Sequence, residues 1–192
     1  MLPNAPTYRR EDGYILRPAR ARDAQAYWQA GYCPMDPELA RLTGCKEHFT
    51  REEVLAYFAR CMAADDRCDF LLLSPEGKIL GESVINEIDF SLRSANFRIA
   101  LFSPQARGHG LGAWAIRMTQ ACAFDTLRLH RLSLDVFSFN TRAIRAYERA
   151  GFVREGVLRD AIATSSGYAD DVLMAMLESE WRARQTYSGT RC

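Results

Sequence analysis

The sequence has no run of about 18 apolar residues, the length needed to cross a bilayer, so it predicts no transmembrane segment. Its first residues contain no short apolar stretch of the kind found in secretory signal peptides. The chain has only three histidines and six cysteines, and none shows the spacing of a zinc site or of a Cys-x-x-Cys redox motif. We therefore expect a cytoplasmic protein with free thiols and no metal.

The charge balance of the chain shows no excess of either sign. Lys and Arg number 25 and Asp and Glu 24, which gives a net charge of +1. General nucleic-acid binders usually carry a basic excess, so we expect no nucleic-acid partner. Apolar residues make up 48% and charged residues 26% of the 192 residues, as is typical of a globular domain. We expect one domain over residues 8–185, with tails at 1–7 and 186–192.

Local patterns predict strands and helices that alternate along the chain. Apolar runs bounded by turn residues predict strands at 13–18, 69–73, 79–88, 96–102, 132–136, 152–161 and 171–177. Helical spacing and capping residues predict helices at 23–30, 50–62, 108–124 and 140–150. Thr50 and Glu53 form a capping-box pattern, and Asn140 and Gly151 suit the two ends of the last helix. This order predicts an α/β or α+β domain around a mixed sheet.

The most informative segment joins the strand at 96–102 to the helix at 108–124. Gly108, Gly110 and Gly112 allow the backbone to turn tightly and to approach a ligand closely. The unpaired N–H groups and the dipole of the helix that follows favour phosphate or pyrophosphate. Arg107 and His109 can add side-chain donors. The segment therefore predicts a local anion site.

The glycine pattern of this loop can be compared with two known phosphate-binding loops and with a turn that binds nothing. Gly108, Gly110 and Ala113 fit the G-x-G-x-x-A pattern of dinucleotide folds, with Asp135 at the end of a later strand. However, residues 103–107 separate the strand from the first glycine, and too little sequence follows for the usual strands of that fold. A P-loop is excluded because no Gly-Lys-Ser/Thr follows. A tight turn without a ligand is the third interpretation.

Two motifs in series resemble the GNAT acetyltransferase superfamily. The first, Gln105-x-x-Gly108-x-Gly110, is similar to the family's Q/R-x-x-G-x-G/A signature. The second is similar to its N-x-x-A-x-x-x-Y-x-x-x-G-F element and comprises Asn140, Ala143, Tyr147, Gly151 and Phe152. The chain looks most like the branch that contains ribosomal-protein N-terminal acetyltransferases and spermidine acetyltransferases.

The resemblance implies a GNAT acyl-CoA N-acyltransferase fold, with a mixed, splayed sheet of about six or seven strands flanked by about four helices. It implies acetyl-CoA as the cosubstrate and no metal. Backbone groups around Leu101 and Phe102 are expected to pair with the pantetheine amides. The residues expected to contact the cosubstrate are Leu101, Phe102, Gln105, Arg107, Gly108, His109, Gly110, Leu111, Gly112, Asn140, Ala143 and Tyr147.

The second motif implies roles along one helix face. Asn140, Ala143 and Tyr147 are spaced so that they share that face. The resemblance assigns Tyr147 as the general acid, since a phenol with a pKa of about 10 can reprotonate a thiolate; a tyrosine that only packs in the core is the alternative. Asn140 is a helix cap, a donor to the cosubstrate, or both. Candidates for the 3′-phosphate, unless they are simply solvated, are Arg142, Arg145 and Arg149.

The acceptor side is less determined by the sequence. A carboxylate on a mainly apolar strand is costly to bury, so Glu82 and Glu87 lie either in a site or at an exposed edge. The polyamine acetyltransferases carry a substrate-facing glutamate on this strand, and by position it matches Glu87, which is our candidate base. Further candidates for the acceptor side, which can equally be solvated or packing residues, are Tyr32, Asp36, Glu38, Phe49, Tyr168, Asp170 and Asp171.

The expected activity is direct transfer of an acetyl group from acetyl-CoA to a primary amine in a ternary complex, without an acyl-cysteine. The expected acceptor is a protein N-terminal α-amine. Polyamines and small amines, including antibiotics, are the alternatives. The alternative from another class is a non-catalytic acyl-CoA-binding sensor. We expect a monomer or homodimer that binds no membrane.

Overall fold

The computed structural model describes residues 5–164 and 167–188, without the side chains of Gln105, Tyr187 and Ser188. The strands are β1 (Tyr8–Arg9), β2 (Ile15–Pro18), β3 (Cys68–Leu73), β4 (Ile79–Asp89), β5 (Ser94–Leu101), β6 (Arg131–Phe137), β7 (Val153–Thr164) and β8 (Gly167–Leu177). The helices are α1 (Ala24–Gly31), α2 (Pro37–Thr43), α3 (Arg51–Ala63), α4 (Leu111–Ala121), α5 (Thr141–Ala150) and α6 (Glu178–Ser188). Over the described residues, no helix is both long and apolar enough to cross a membrane.

The strands form one mixed sheet of eight strands in the order β1-β2-β3-β4-β5-β6-β8-β7. Each neighbouring pair is antiparallel except β5 and β6, which are parallel. β5 and β6 are paired only between residues 94–96 and residues 131–133. Beyond these positions the two strands separate, so the sheet is splayed in its middle, as the resemblance implies.

Apolar side chains pack on both faces of the sheet. All six positions of β3 are buried, and successive side chains of a strand point to opposite faces. Phe70 and Leu72 belong to the core cluster that also holds residues of α4, α5 and α6. Leu71 and Leu73 belong to the cluster that holds residues of α1, α2 and α3. The sheet is therefore the middle of three layers.

Helix ends follow the capping residues that the sequence predicts. Glu53 N–H donates to Thr50 Oγ1 at 3.2 Å, and Thr50 N–H donates to Glu53 Oε2 at 2.7 Å, which completes the capping box of α3. Ala143 N–H donates to Asn140 Oδ1 at 3.2 Å at the start of α5. Gly151 ends α5 with a φ of 99°, a left-handed value that favours glycine. These local predictions are confirmed.

The structure adds β1, α2 and α6 to the predicted elements, which gives eight strands and six helices over the residues that it describes. α2 occupies a stretch that we expected only to be punctuated by proline and glycine. Asp36 caps it through Glu38 N–H at 3.1 Å, and Pro37 takes the first helical position, where its missing N–H costs nothing. α6 follows β8 directly, with no glycine or proline between them to mark the boundary in the sequence.

The helix predicted at 108–124 is shorter than expected. Gly108 and Gly110 have φ values of 88° and 71°, which do not belong to a right-handed helix, so α4 begins at Leu111. α4 then ends in a π-helical turn over Cys122–Thr126.

The hairpin of β7 and β8 is longer than predicted. β8 pairs with β6 from Asp171 to Leu177, which is the predicted strand. The preceding residues of β8 pair with β7 alone, and their largely exposed side chains carry a weaker apolar pattern. The apolar signal therefore marked the central, buried part of the hairpin only.

Gly81 is a position where the sheet has no room for a side chain. A Cβ there would lie 2.3 Å from the carbonyl oxygen of Ala100 on β5. We predict that Gly81→Ala lowers the free energy of unfolding by about 1–3 kcal/mol, measured by urea denaturation. The matched control is Gly156→Ala in β7, where a Cβ would meet only Leu173 Cδ1 at 3.9 Å and little change is expected. Equal losses in the two variants would contradict the steric explanation.

Candidate active site

A cleft of about 930 Å³ opens where β5 and β6 separate. The predicted residues that line it are Tyr32, Glu82, Glu87, Leu101, Phe102, Arg107, Gly108, Gly110, Leu111, Gly112, Asn140, Ala143 and Tyr147. The predicted residues that do not are Asp36, Glu38 and His109, and the side chain of Gln105 lies outside the described residues. Within the described part of the chain, no group of three or more His, Cys, Asp or Glu side chains could hold a metal ion.

The glycine turn before α4 borders this cleft and has open space beside it. A Cβ at Gly108 or at Gly110 would meet no atom within 4 Å, so the positive φ of each residue, and not crowding, requires glycine. The first hydrogen bond of α4 runs from Trp114 N–H to the Gly110 carbonyl at 3.0 Å. The N–H groups of residues 111–113 precede that bond and point out of the helix start. The turn therefore has the form of an anion site.

The edge of β5 that faces away from β4 runs along the same cleft. Phe102 N–H donates to the Leu80 carbonyl at 2.9 Å, on the β4 side. Because residues of an antiparallel pair alternate between the two edges, the N–H and C=O groups of Ile99 and Leu101 point towards the cleft. The expectation for Leu101 agrees with this geometry. The N–H of Phe102 is already bonded within the sheet, and its ring packs edge-on against Tyr27 at 5.6 Å.

The acidic residues predicted around α2 have partners within the protein. Asp36 Oδ2 lies 2.6 Å from Arg107 Nη2, and only 15% and 16% of these side chains are exposed. This ion pair joins α2 to the glycine turn. Glu38 pairs with Arg41 at 2.9 Å on the surface. Both carboxylates are neutralised by an arginine, which argues against the expectation that they attract a cationic acceptor.

Tyr147 forms part of the cleft wall from α5. Only 7% of the residue is exposed, and its ring packs edge-on against Phe97 and Phe152, with centroids 6.2 and 5.9 Å away. Burial, and secondarily the negative charge of Asp135, raises the pKa of the phenol above its ordinary value, so it keeps its proton at neutral pH. The Tyr147 hydroxyl has no hydrogen-bond partner within the described residues, yet it is not one of their buried unpartnered polar atoms. The hydroxyl is therefore accessible, and because Tyr147 lines the cleft, it opens there.

Other polar side chains of α5 also face the cleft. Asn140 Oδ1 is engaged as the helix cap, which leaves its amide nitrogen as the group available to a ligand. Arg142 and Arg149 line the cleft, whereas Arg145 does not. Of the three candidate arginines, two are therefore in a position to meet an anionic ligand.

Glu82 lies in the cleft wall on β4 with 6% of the residue exposed. Its Oε2 accepts a hydrogen bond from Tyr27 Oη at 2.8 Å, and its Oε1 lies 3.2 Å from Arg98 Nη2. Tyr32 Oη lies 3.0 Å from Tyr27 Oη. The buried carboxylate thus has both a charged partner and a hydrogen-bond donor, as a buried charge requires. The sequence left Glu82 either in a site or at an exposed edge, and the structure places it in the cleft wall.

Glu87 stands at the rim of the cleft. It is exposed and lies in an irregular part of the pairing between β4 and β5. Its φ of 54° is uncommon for a residue other than glycine and costs energy. Asn86 Nδ2 donates to Glu87 Oε1 at 3.3 Å, while Asn86 Oδ1 is buried without a partner among the described residues. Glu87 therefore has access to the cleft and no cationic partner within the described residues.

The remaining acceptor-side candidates lie outside the cleft lining. Tyr168 is 72% exposed on the β7–β8 hairpin, and Asp170 Oδ1 accepts from Asp160 N–H at 3.0 Å. Asp171 is buried, and burial followed by the charge of Asp135 raises its pKa. Phe49 packs edge-on behind Tyr32 at 5.2 Å. None of these four residues lines the cleft, so the structure does not place them on the acceptor side of it.

Five polar residues that line the cleft are not among the predicted site residues: Thr43, Asn86, Asn96, Arg98 and Asp135. In β5, buried Ala95 and Phe97 alternate with more exposed Asn96 and Arg98, so a period of two was available as a signal. Asp135 likewise lies between two buried residues of β6. From the sequence, its predicted role is confined to the dinucleotide-fold interpretation.

The ion pair between Asp36 and Arg107 predicts a stability difference between two similar variants. Asp36→Asn keeps an acceptor for the helix cap but leaves the Arg107 guanidinium without its charge partner. We expect it to lower the free energy of unfolding by about 2 kcal/mol in urea denaturation. Glu38→Gln breaks an exposed ion pair in the same helical turn and should leave stability unchanged. A loss in Glu38→Gln as large as that in Asp36→Asn would refute the role of burial.

Comparison with known proteins identifies the family. The family profile described as "Acetyltransferase (GNAT) domain" matches residues 14–153. A spermidine N(1)-acetyltransferase of Vibrio cholerae is 30% identical over 115 residues, 60% of this chain and 66% of that protein. A Bacillus subtilis protein provisionally named a ribosomal N-acetyltransferase, YdaF, is 26% identical over 110 residues, 57% of this chain and 60% of that protein. The aligned parts thus span about two thirds or less of these relatives.

Solved structures share the fold of this chain. The crystal structure of a Vibrio cholerae spermidine N-acetyltransferase in complex with CoA and spermine superposes with a TM-score of 0.79. It covers 88% of this chain and 98% of that chain at 22% identity, which supports the fold. The family assignment rests on the match over residues 14–153, and it agrees with the splayed mixed sheet and the glycine turn. The chain belongs to the GNAT acetyltransferase family.

Proposed function

We propose that the protein transfers an acetyl group from acetyl-CoA directly to a primary amine. One observation carries this proposal: the glycine turn, the free edge of β5 and the hydroxyl of Tyr147 all open onto the same cleft. A phosphate site, a strand edge for amide groups and a proton donor are the parts that this reaction needs. The domain that holds them is proposed to extend over residues 8–185.

The residues that line the cleft fit acetyl-CoA, which supplies the activated acetyl thioester. Its pyrophosphate would meet the N–H groups at the start of α4, beside Gly108 and Gly110. Its pantetheine amides would pair with Ile99 and Leu101 as an added strand. The amide nitrogen of Asn140 would donate a further hydrogen bond. Arg142 and Arg149 are cations free of ion pairs within the described residues and would face the phosphates.

Tyr147 is the proposed proton donor to the departing thiolate. Burial raises the pKa of the phenol, which keeps it protonated but weakens it as an acid. The same apolar wall disfavours a thiolate and raises the pKa of the thiol that forms from it. The two pKa shifts have the same sign, so the proton transfer from the phenol to the thiolate remains feasible in the cleft.

The acceptor we propose is a polyamine, in place of the protein N-terminus expected from the sequence. Relatives named spermidine acetyltransferases support it. The charges of the cleft also support it: Arg98 and Arg107 are neutralised by Glu82 and Asp36. Glu87 and Asp135 line the cleft without a cationic partner among the described residues. Arg142 and Arg149, the unpaired cations of the lining, would be occupied by the phosphates of acetyl-CoA, which leaves these two carboxylates to favour a polycationic amine. A protein N-terminus stays the second candidate because of the relative provisionally named a ribosomal acetyltransferase.

The test is mass spectrometry of the products after incubation with acetyl-CoA and a panel of amines. The panel holds spermidine, a short monoamine, peptides with free N-termini, lysine peptides and an aminoglycoside. Acetylated spermidine as the main product is the expected result. Acetylated peptides as the main product would support the second candidate. Binding of acetyl-CoA without any acetylated product would support the sensor alternative and contradict the proposal.

Gly110→Ala should weaken acetyl-CoA binding by about tenfold or more, because the new methyl group occupies the space beside the turn and the left-handed φ is disfavoured. Isothermal titration calorimetry measures the affinity. The matched control is Gly77→Ala, since Gly77 also has a positive φ, 82°, and open space for a Cβ but does not line the cleft. Both variants should lose a similar amount of stability. An unchanged affinity in Gly110→Ala would refute the phosphate site.

Tyr147→Phe should lower kcat by about 100-fold while the affinity for acetyl-CoA stays the same, because only the proton donor is removed. The control is Tyr14→Phe, since Tyr14 lies outside the cleft lining, beneath Arg10 at 5.6 Å. Steady-state kinetics and calorimetry give the two quantities. Turnover at the wild-type rate in Tyr147→Phe would remove its assignment as the acid.

A further inference from the structure

A chain of three hydrogen-bonded side chains leads from the cleft into the protein. Tyr32 lines the cleft, and its Oη lies 3.0 Å from Tyr27 Oη. Tyr27 is 1% exposed and donates to Glu82 Oε2 at 2.8 Å. The chain joins two separate elements, since Tyr27 lies on α1 and Glu82 on β4. Nothing in the proposed roles of Tyr147 and the glycine turn uses it.

The hydrogen bonds of this chain have a direction that the chemistry of the groups determines. A carboxylate only accepts, so Tyr27 must give its single proton to Glu82. Tyr27 then has no proton left for Tyr32, and Tyr32 must donate to Tyr27. The lone pairs of Tyr32 Oη are left to accept from a donor in the cleft. An amine N–H is such a donor.

The far end of the chain lies against an arginine. Arg98 Nη2 lies 3.2 Å from Glu82 Oε1 and also donates to Tyr57 Oη at 2.7 Å. Burial, and then the charge of Glu82, raises the pKa of Tyr27, so both tyrosines of the chain stay protonated between transfers. The other titratable groups nearby are Cys61 on α3 and the Arg67–Asp69 pair beside β3.

We propose that Tyr32, Tyr27 and Glu82 form a relay that removes the proton of the attacking amine, which rests on the proposed acetyl transfer. As the bond from nitrogen to the acetyl carbon forms, the amine proton moves to Tyr32. The proton of Tyr32 moves to Tyr27, and that of Tyr27 moves to Glu82. The electron pair of the broken carbon–sulfur bond stays on sulfur, which takes the proton of Tyr147. After the product leaves, the proton on Glu82 returns through Tyr27 and Tyr32 to water in the cleft, and water returns a proton to Tyr147.

The base in this relay is Glu82, whereas the sequence predicted Glu87 as the base. Glu87 stands at the rim and has access to solvent, whereas Glu82 is buried and connected to the cleft by oriented donors. Tyr27 acts through Tyr32 and does not line the cleft. Glu87 then remains available to the cationic chain of the acceptor.

The test compares three variants that each remove one phenol oxygen from the same network. Tyr27→Phe and Tyr32→Phe interrupt the relay, whereas Tyr57→Phe removes only the hydroxyl that accepts from Arg98. We expect kcat with saturating spermidine and acetyl-CoA to fall by about 10- to 100-fold in the first two, with KM for both substrates nearly unchanged. Tyr57→Phe should stay within about twofold of the wild type. Tyr32→Phe, at the cleft surface, keeps the test valid should Tyr27→Phe fold poorly.

Two further readouts separate a relay from structural support. Without it the amine must lose its proton to hydroxide, so kcat of Tyr27→Phe should keep rising with pH where that of the wild type has levelled off. The double variant Tyr27→Phe/Tyr32→Phe should lose no more kcat than either single variant, because each change interrupts the same path.

The outcomes distinguish the relay from the proposed function. Equal kcat values in Tyr27→Phe and Tyr57→Phe, parallel pH profiles, or losses that multiply in the double variant would each overturn the relay while acetyl transfer stands. A wild-type protein that acetylates no amine would overturn the proposed function and the relay with it.

Discussion

β5 and β6 stay paired over three residue positions and then separate, and the candidate site depends on that separation. Backbone groups along a strand edge need partners. Ile99 and Leu101 therefore present an edge that a ligand can complete. The same opening lets α4 begin with its N–H groups beside β5 and lets α5 bring Tyr147 into the gap. A fully paired sheet of the same strands would have no cleft of this kind.

The helices on the two faces of the sheet contribute different groups to the cleft. α4 and α5, which pack on one face, contribute the glycine turn, Asn140 and Tyr147. α1 to α3, which pack on the other, contribute Tyr32 and the partners that hold Glu82 and Arg98. Under the proposed function, acetyl-CoA would meet the groups from one layer and the amine acceptor those from the other. The two substrates would then meet at the sheet between these layers.

Charge compensation decides which residues remain free for an acceptor. Asp36 and Glu82 carry buried or half-buried charges, and each is paired with an arginine because an unpaired charge in such a position is costly. Glu87 and Asp135 are exposed and need no partner to be stable. The residues that look most acidic in the sequence around α2 are thus the ones that the fold neutralises. The carboxylates of the cleft that stay without a cationic partner among the described residues belong to β4 and β6.

The sequence by itself determined the features that depend on neighbours along the chain. The capping box of Thr50 and Glu53, the cap at Asn140 and the left-handed glycines before α4 follow from local chemistry, and so do the two motifs that indicated the family. The main strands followed from apolar runs, whereas α2 and α6 lacked a clear periodic signal and were not predicted.

Tertiary structure alone decided which polar residues meet. Arg107 and Asp36 lie far apart in sequence, as do Tyr27 and Glu82, and only the packing of α1 and α2 against the sheet brings them within hydrogen-bond distance. Pairing across such separations depends on the register and layering of the whole domain, which no local pattern encodes.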